Sequence, residues 1–378
     1  MAALQEKLIG RDMSRKKVLF LATFKTDSKT NNVFGGAEKS LINLANWLSC
    51  NSNDFDITIA SVEGTGKPFN ISGNVCFIGY EVNNLNKVST HISIYRNTIK
   101  AIKTVKPDVV ISFTIHPLAY GINYCTKQKI KTIYSERNDP RLEYGKITQC
   151  LRQRMLRKVD FVVFQTHDAQ RYFDESVQKK SEVIFNPTYI RYSDYKLNEK
   201  TDNRIVTVGR LFPQKNQSLL IRAFSEIHKK YGELVLQIYG DGDLKTDLQN
   251  LINSLHLEKN VMLMGSSSRI IDDIYGAKLF VLPSIYEGMP NALIEAMSLG
   301  ITCISSDCPC GGPRELIQNG VNGYLFKNGD LTDLIEKMRI ALNENYLLRL
   351  ESKKICYVLD QDKIFNRWRD LIIDMTNA

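Results

Sequence analysis

The hydrophobic pattern of the chain alternates short runs rich in β-branched residues with longer amphipathic stretches. Residues 18–23 form the first run, and in residues 37–48 the apolar positions recur at the spacing of an α-helix. Continuous apolar runs are typical of strands in a parallel sheet that helices cover on both faces, so the pattern predicts an α/β fold. Further strands are predicted at 56–61, 75–80, 108–113, 131–136, 161–166 and 182–187, with helices that include 92–105 and 147–158.

After Asn186-Pro187 the same alternation begins again. With 378 residues, the chain is longer than a single core usually organises. We therefore expect two Rossmann-like, doubly wound domains, 1–188 and 189–361, that face a cleft at the carboxyl ends of their strands. A last helix near 362–378 is a candidate to pack back on the first domain. The second set of strands is predicted at 204–209, 234–240, 261–265, 279–284 and 301–306, followed by a mostly helical segment at about 331–376.

Positive charge is concentrated in the first half of the chain. Residues 1–190 contain 27 basic and 17 acidic residues, residues 191–378 contain 23 and 24, and the net charge is +9. This asymmetry predicts an acidic partner for the first half: a membrane surface, a phosphorylated substrate or nucleic acid. Because no nucleic-acid recognition motif accompanies the charge, we favour an anionic membrane surface and expect no nucleic acid.

The segment 147–160 is a candidate membrane-binding element because it is both apolar and strongly basic. It could lie on anionic lipid, or it could cover the sheet with its apolar face and expose a solvated basic face. The sequence leaves both interpretations open. The apolar positions are Ile147, Leu151, Met155 and Leu156, and the basic positions are Arg152, Arg154, Arg157 and Lys158.

Several absences in the sequence bear on localisation and cofactors. No run approaches the ~18 apolar residues of a spanning helix, and residues 1–17 contain no signal-peptide core. The eight cysteines are scattered without the paired spacing of a zinc site. We expect a cytoplasmic protein with reduced thiols and no metal.

Glycine turns beside predicted strands provide candidate phosphate sites. Gly35 and Gly36 precede the first helix, where backbone amides can approach a phosphate. Gly209-Arg210 ends the first strand of the second half, and Lys215 follows five residues later. An arginine fork and a lysine charge at one strand end suit a diphosphate, and two solvated surface cations are the alternative.

The segment from Glu287 to Glu295 combines two carboxylates with a loop and a helix start. Gly288 suits the loop and Pro290 the start of the helix, so Glu287 precedes the helix and Glu295 lies in its second turn. The amides around 291–293 would face the cleft and bind phosphate with the help of the helix dipole. The two carboxylates could accept hydrogen bonds from sugar hydroxyls.

This segment, E-G-M-P-N-A-L-I-E, resembles the E-x7-E signature of the family 4 retaining glycosyltransferases, which have the GT-B fold. The resemblance covers nearly the whole chain, and several motifs in family order are more specific than any one of them. The other motifs are GGAE, SFTIHP, SERNDP, VGRLFPQKN, YGDGDL and NGVNGYLF.

For the second half, the resemblance implies a donor site. Arg210 and Lys215 would hold the donor diphosphate, Glu295 the ribose hydroxyls, and Glu287 with the following amides the donor sugar. Gly36 would approach the diphosphate from the other domain. The implied donor-binding set is Gly35, Gly36, Gly209, Arg210, Lys215, Glu287, Gly288, Met289, Asn291, Ala292, Leu293 and Glu295.

For the first half, the resemblance implies that His116 lies near the transferred sugar, so the catalytic assignment is His116, Glu287, Arg210 and Lys215. A structural histidine is the alternative at this position. Glu136 and Arg137 are candidates to face the acceptor, or to form a local salt bridge.

Together, these predictions describe a retaining glycosyltransferase on the cytoplasmic face of the inner membrane. It would move a hexose or N-acetylhexosamine from a UDP-sugar to a polyprenyl-diphosphate-linked saccharide in surface polysaccharide biosynthesis, without a metal. Two alternatives are a sugar-nucleotide epimerase of the same architecture and a non-catalytic sugar-nucleotide or glycan-binding protein.

Overall fold

Two parallel β-sheets organise the chain. The computed structural model describes residues 15–24, 36–68, 70–82, 86–141, 145–197, 200–343 and 346–377. The first sheet consists of β1 (Lys16–Ala22), β2 (Phe55–Ser61), β3 (Cys76–Gly79), β4 (Val109–Ser112), β5 (Lys131–Ser135), β6 (Phe161–Phe164) and β7 (Ser181–Val183). Their order is β3-β2-β1-β4-β5-β6-β7. The accompanying helices are α1 (Gly36–Asn51), α2 (Lys87–Val105), α3 (Ile115–Gln128), α4 (Lys146–Lys158), α5 (His167–Arg171) and α6 (Glu175–Gln178).

Both faces of the first sheet are covered, which explains its continuous apolar strands. On the central strand β1, Val18 and Phe20 pack into one hydrophobic core, whereas Leu19 and Leu21 pack into the core on the opposite face. Successive side chains of a strand point to opposite faces, so a strand between two helical layers must be apolar at every position.

The second sheet repeats this architecture with six parallel strands. They are β8 (Arg204–Val208), β9 (Val235–Tyr239), β10 (Val261–Gly265), β11 (Leu279–Leu282), β12 (Thr302–Asp307) and β13 (Tyr324–Lys327), in the order β10-β9-β8-β11-β12-β13. A 3-10 turn covers Pro213–Lys215, and the helices are α7 (Gln217–His228), α8 (Lys245–Ser254), α9 (Ile270–Ile274), α10 (Asn291–Ser298), α11 (Gly312–Leu316), α12 (Leu331–Leu342), α13 (Tyr346–Lys353), α14 (Ile355–Val358) and α15 (Gln361–Asn377). The predicted pair of Rossmann-like α/β units is confirmed.

The last helix, α15, packs against the first sheet. Phe365 and Trp368 belong to its hydrophobic core, and Trp47 Nε1 on α1 donates a 2.7 Å hydrogen bond to Asp362 Oδ1. We call β1–β7, α1–α6 and α15 the first lobe, and β8–β13 with α7–α14 the second lobe. The chain therefore crosses between the lobes twice, and a 2.8 Å bond from Thr188 N to Leu359 O joins the two crossings.

Helix α4 corrects one interpretation of the sequence. Met155 and Leu156 are buried in the core of the first lobe, and of the four apolar residues only Ile147 is exposed. Arg152 is also buried, so it does not contribute to a basic surface. The helix covers the sheet, as the second interpretation stated, and its buried residues Met155 and Leu156 are not available to a membrane. Within the described residues, no helix is long and apolar enough to cross a membrane.

Candidate active site

A cleft of about 620 Å³ lies between the lobes, at the carboxyl ends of both sheets. Parallel strands all end at one edge of a sheet, so the loops after different strands come together there. The lining includes Gly36, Arg137 and Asn186 from the first lobe, and Arg210 and Glu287 from the second. The predicted position of the cleft is confirmed.

Two cations enter the cleft after β8. Arg210 is exposed, and its guanidinium carbon lies 5.2 Å from the ring centroid of Phe212. The aliphatic part of the Lys215 side chain packs against Gly209. A Cβ atom added to Gly209 would lie only 3.3 Å from three side-chain carbons of Lys215. The small residue at the strand end thus leaves room for the lysine, and both cations line the cleft.

Glu287 is held in one orientation by groups of the second lobe. Its Oε1 atom accepts a hydrogen bond from Lys215 Nζ and a 2.6 Å bond from Ser284 Oγ. Its backbone N–H donates to Pro309 O at 2.7 Å. Only 6% of the surface of Glu287 is exposed, so this ion pair is shielded from solvent while it borders the cleft.

Helix α10 begins at Asn291, one residue after the predicted start at Pro290, and directs its N-terminus into the cleft. The amides of a first helical turn have no partner within the helix and form an anion site with the dipole. Asn291 and Ala292 line the cleft, but Leu293 does not: its side chain is in the core, and its N–H donates to Pro290 O. The assignment of Leu293 to donor binding is therefore not supported by its position.

Glu295, in the second turn of α10, has different surroundings from Glu287. It lines the cleft and forms no hydrogen bond or ion pair with a described residue. Burial raises the pKa of its carboxyl to about 7, and the Lys39 ammonium from the first lobe opposes this shift. At neutral pH this carboxyl is divided between its protonated and ionised forms.

The lobes touch where residues 287–291, called the donor loop after their predicted role, meet the first lobe. A Cβ atom on Gly288 would lie 2.6 Å from the carbonyl oxygen of Arg137, so only glycine permits this approach. Across the cleft, Gly36 lies beside the side chain of Asn291, with 3.7 Å between an added Cβ atom and Nδ2. Met289 is 5% exposed and borders both core and cleft.

Arg137 lies in the cleft, while its sequence neighbour Glu136 does not. The Arg137 guanidinium stacks 3.8 Å from the ring centroid of Phe113 and donates a 2.8 Å bond to Asn186 Oδ1. Burial lowers the pKa of Arg137 to about 9, which leaves it charged at neutral pH. Glu136 is 2% exposed and pairs with Arg152 at 3.8 Å, so its assignment to the acceptor is wrong.

His116 is placed away from the described lining of the cleft. It lies in the first turn of α3, its Nε2 atom is 3.2 Å from Thr148 Oγ1, and its ring is 5.2 Å from that of His91. Tyr120 completes this group through a 2.7 Å bond between its hydroxyl and His91 Nδ1. Gly35, the other first-lobe glycine of the predicted donor site, lies outside the described residues.

Among the residues that the sequence analysis did not assign to the site, Lys39 and Asn186 line the cleft and Ser284 supports Glu287. Lys39 follows the GGAE motif and lines the cleft. From the sequence alone, a lysine in the first turn of an amphipathic helix is interpreted as a solvent-exposed charge. Asn186 was noted only as a boundary. Ser284 gave no signal, because its role depends on the position of Glu287 three residues later.

The described part of the chain contains no candidate metal site. No cluster of three or more His, Cys, Asp or Glu side chains there has the geometry to hold an ion. The charged groups that line the cleft are the cations Lys39, Arg137, Arg210 and Lys215 and the carboxylates Glu287 and Glu295, beside the first amides of α10.

Comparison with known proteins places the chain in a family. The model of glycosyltransferase family 4 matches residues 34–190, and that of the glycosyl transferases group 1 matches residues 191–355. An uncharacterized glycosyltransferase of Methanocaldococcus jannaschii is 32% identical over 288 residues, which are 67% of this chain and 70% of the relative.

A second relative and a solved structure extend this similarity. A Campylobacter jejuni protein, named as an α-1,4-N-acetyl-D-galactosaminyltransferase for a PP-undecaprenol-linked saccharide, is 26% identical over 91% of this chain and 96% of its own. The crystal structure of Anabaena HepE with UDP has a TM-score of 0.77 at 17% identity, covering 95% of this chain and all of that one, and shares the fold. The chain belongs to the group 1, family 4 glycosyltransferases of the GT-B fold.

Proposed function

We propose that the protein moves a hexose or N-acetylhexosamine from a UDP-sugar, with retention of configuration, to a polyprenyl-diphosphate-linked saccharide. The observation that carries the proposal is the convergence of Arg210, Lys215, Glu287 and the α10 N-terminus in one cleft. This set matches a donor with two phosphates and a polyhydroxylated sugar. UDP in the HepE crystal and the undecaprenol-linked acceptor in the Campylobacter jejuni name support the same substrate classes.

In the proposed reaction, the glycosidic bond to UDP breaks and negative charge grows on the leaving phosphate. Arg210, Lys215 and the free amides of Asn291 and Ala292 would stabilise that charge, without reorganisation during the reaction. Glu287 would orient the sugar hydroxyls, because Lys215 and Ser284 fix its carboxylate. Glu295 would accept bonds from the ribose hydroxyls.

The lipid-linked acceptor would approach from the first lobe. His91 on α2 and His116 and Tyr120 on α3 form one group of rings, and α2 and the start of α4 also carry exposed apolar side chains. We define the apolar rim as Val88, Ile92 and Tyr95 on α2 with Ile147 on α4, which are 68%, 46%, 51% and 77% exposed. We propose that the apolar rim meets the cytoplasmic face of the inner membrane, with His116 beside the acceptor.

The donor screen that tests this function measures UDP release from a panel of UDP-sugars, with and without lipid-linked acceptors. Acceptor-dependent UDP release and an α-linked product from an α-linked donor would support it. Epimer formed from donor alone would establish the epimerase alternative, and UDP binding without any turnover would establish a binding protein. Arg210→Ala should lower both donor affinity and kcat, whereas Glu295→Ala should mainly raise the donor KM.

Metal independence is part of the proposal, because paired cations and helix amides would replace a divalent ion at the diphosphate. We expect activity to survive excess EDTA. Complete loss that magnesium or manganese restores would show that the diphosphate site is assigned incorrectly.

A further inference from the structure

Asn186 is buried at the first crossing between the lobes, directly beside the cleft. Only 4% of its surface is exposed, and it follows β7 at the carboxyl edge of the first sheet. A buried asparagine amide is costly unless its donors and acceptor are paired. Its partners therefore show what this position does.

The amide nitrogen of Asn186 is bonded to the donor loop of the second lobe. Nδ2 donates to Met289 O at 3.2 Å and to Asn291 Oδ1 at 2.7 Å. Both acceptors lie between the two glutamates of the E-x7-E segment, and both residues line the cleft. Asn186 thus contacts the backbone that leads into the α10 N-terminus.

The amide oxygen of Asn186 is bonded to the first lobe. Oδ1 accepts from Arg137 Nη1 at 2.8 Å, and stacking of that guanidinium on Phe113, 3.8 Å from the ring centroid, limits its movement. Gly288 presses against the carbonyl of the same arginine. One side chain therefore connects a fixed cation of the first lobe to the loop that carries the donor-binding groups of the second.

We infer that Asn186 is a positioning residue, which sets the donor loop at residues 287–291 against the first lobe and so aligns donor with acceptor. This inference rests on the proposed function. The groups proposed to hold UDP lie on the second lobe, so its loss should leave UDP binding largely intact. Instead, the sugar and the acceptor should no longer be aligned for reaction, and this loss should lower kcat.

The test compares two variants at Asn186 with a matched control on the same crossing. Asn186→Ala removes all the hydrogen bonds of the side chain. Asn186→Asp keeps the acceptor for Arg137 and loses the donor to Met289 O, so an effect of this variant is not explained by general misfolding. Thr188→Val is the control: the buried hydroxyls of Thr188 and Ser298 share a 2.8 Å interlobe bond away from the described lining of the cleft.

We expect kcat to fall by about tenfold in both Asn186 variants, with the UDP Kd by calorimetry within about twofold of the wild type. Thr188→Val should keep the wild-type kcat. Adding Asn291→Ala to Asn186→Asp should cost less than the sum of the two single effects, since both act on one contact. An unchanged kcat in Asn186→Asp, or an equal loss in Thr188→Val, would overturn the inference.

Hydrogen exchange separates this inference from the proposed function, because it needs no turnover. Asn186→Asp should speed exchange of the amides at 287–291, and Thr188→Val should not. If the wild type transfers no sugar but the exchange pattern holds, the proposed function fails and the positioning role stands. If transfer is normal and exchange at 287–291 is the same in all variants, the positioning role fails alone.

Discussion

At the scale of single residues, the two glutamates of the E-x7-E segment differ in their electrostatic surroundings. Glu287 is ion-paired with Lys215, while burial raises the pKa of Glu295 to about 7. The ordinary value is 4.5, so folding favours the protonated form of Glu295. The free energy of unfolding therefore decreases as pH rises from about 4.5 through about 7.

Replacing Glu295 by glutamine should remove this pH dependence. We expect Glu295→Gln to be more stable than the wild type by roughly 3 kcal/mol at pH 8 and nearly equal at pH 4, because the unfavourable ionisation is absent. Urea unfolding at both pH values measures the difference. Equal differences at the two pH values would mean that the carboxyl is not perturbed by burial.

His116 allows a test of the first lobe at the same scale. His116 is off the described lining of the cleft, so its truncation should leave UDP binding nearly unchanged. Because His116 is proposed to lie beside the acceptor, the same change should lower kcat. Steady-state kinetics and calorimetry on His116→Ala measure both. Full turnover in the variant would remove His116 from the reaction, and lost UDP binding would place it at the donor.

Spacing along the chain was enough to place Arg210, Lys215, Glu287 and Glu295 in one cleft, because strand ends and a helix start fix such positions. It was not enough for Glu136. A carboxylate at a strand end can point into the cleft or into the core, and here the partner that draws it inward, Arg152, lies on a helix whose docking angle the sequence does not reveal.

At the scale of elements, helix α4 is attached to the first sheet by a buried ion pair. Arg152 pairs with Glu136, and its Nη2 donates a 3.0 Å bond to Pro140 O. Removing one partner of a buried pair leaves an uncompensated charge. Arg154, on the exposed side of the same helix, lacks this role.

Arg152→Ala should therefore lower the free energy of unfolding by about 3–5 kcal/mol. The matched variant Arg154→Ala should change it by less than about 0.5 kcal/mol, as is usual for surface positions. Denaturant unfolding of the two variants gives the comparison. Similar stability of both would show that the buried pair does not hold the helix.

The apolar rim on α2 and α4 gives a prediction about membranes. Ile92→Glu and Ile147→Glu should weaken binding to anionic vesicles, because each places a carboxylate where lipid contact is proposed. Salt should also weaken it, since exposed charges are screened over ~10 Å at 0.1 M. Ile340→Glu is the control, as Ile340 is 40% exposed on the second lobe. Equal effects of all three changes, or equal binding to neutral vesicles, would contradict the proposed surface.

The elements themselves were largely predictable. Burial on both faces makes the apolar runs of the central strands continuous. Twelve of the thirteen strands overlap a predicted run, although the edge strand β7 shares only two residues with its run and is half-buried. The exception is β13, an edge strand with one exposed and one half-buried residue among its four, which therefore lacks a continuous apolar signal.

At the scale of the whole molecule, a second set of contacts joins the lobes beside the cleft. Asp168 of the first lobe lies 3.5 Å from Arg314, the backbone N–H of His167 donates to Glu315 at 2.9 Å, and Thr166 Oγ1 donates to Cys310 O at 2.8 Å. The two charged contacts are exposed, and exposed pairs contribute little to stability.

Changing Arg314 and Glu315 together to alanine should cost less than about 1 kcal/mol of unfolding free energy while it lets the lobes separate. Small-angle scattering should then give a larger radius of gyration than in the wild type. Scattering curves that superimpose, with and without UDP, would show that these contacts do not hold the lobes together.

The two adjacent crossings, joined between Thr188 and Leu359, have a further consequence for engineering. After β7 the chain forms the entire second lobe, and only then does its last helix, α15, pack on the first lobe. In topological terms, the second lobe, which is proposed to bind the donor, is an insertion within the first lobe, which is proposed to bind the acceptor. The segment between Thr188 and Leu359 can therefore be exchanged for that of a relative. In such chimaeras we expect the donor specificity of the relative that supplies the inserted segment and the acceptor specificity of the protein that supplies the first lobe.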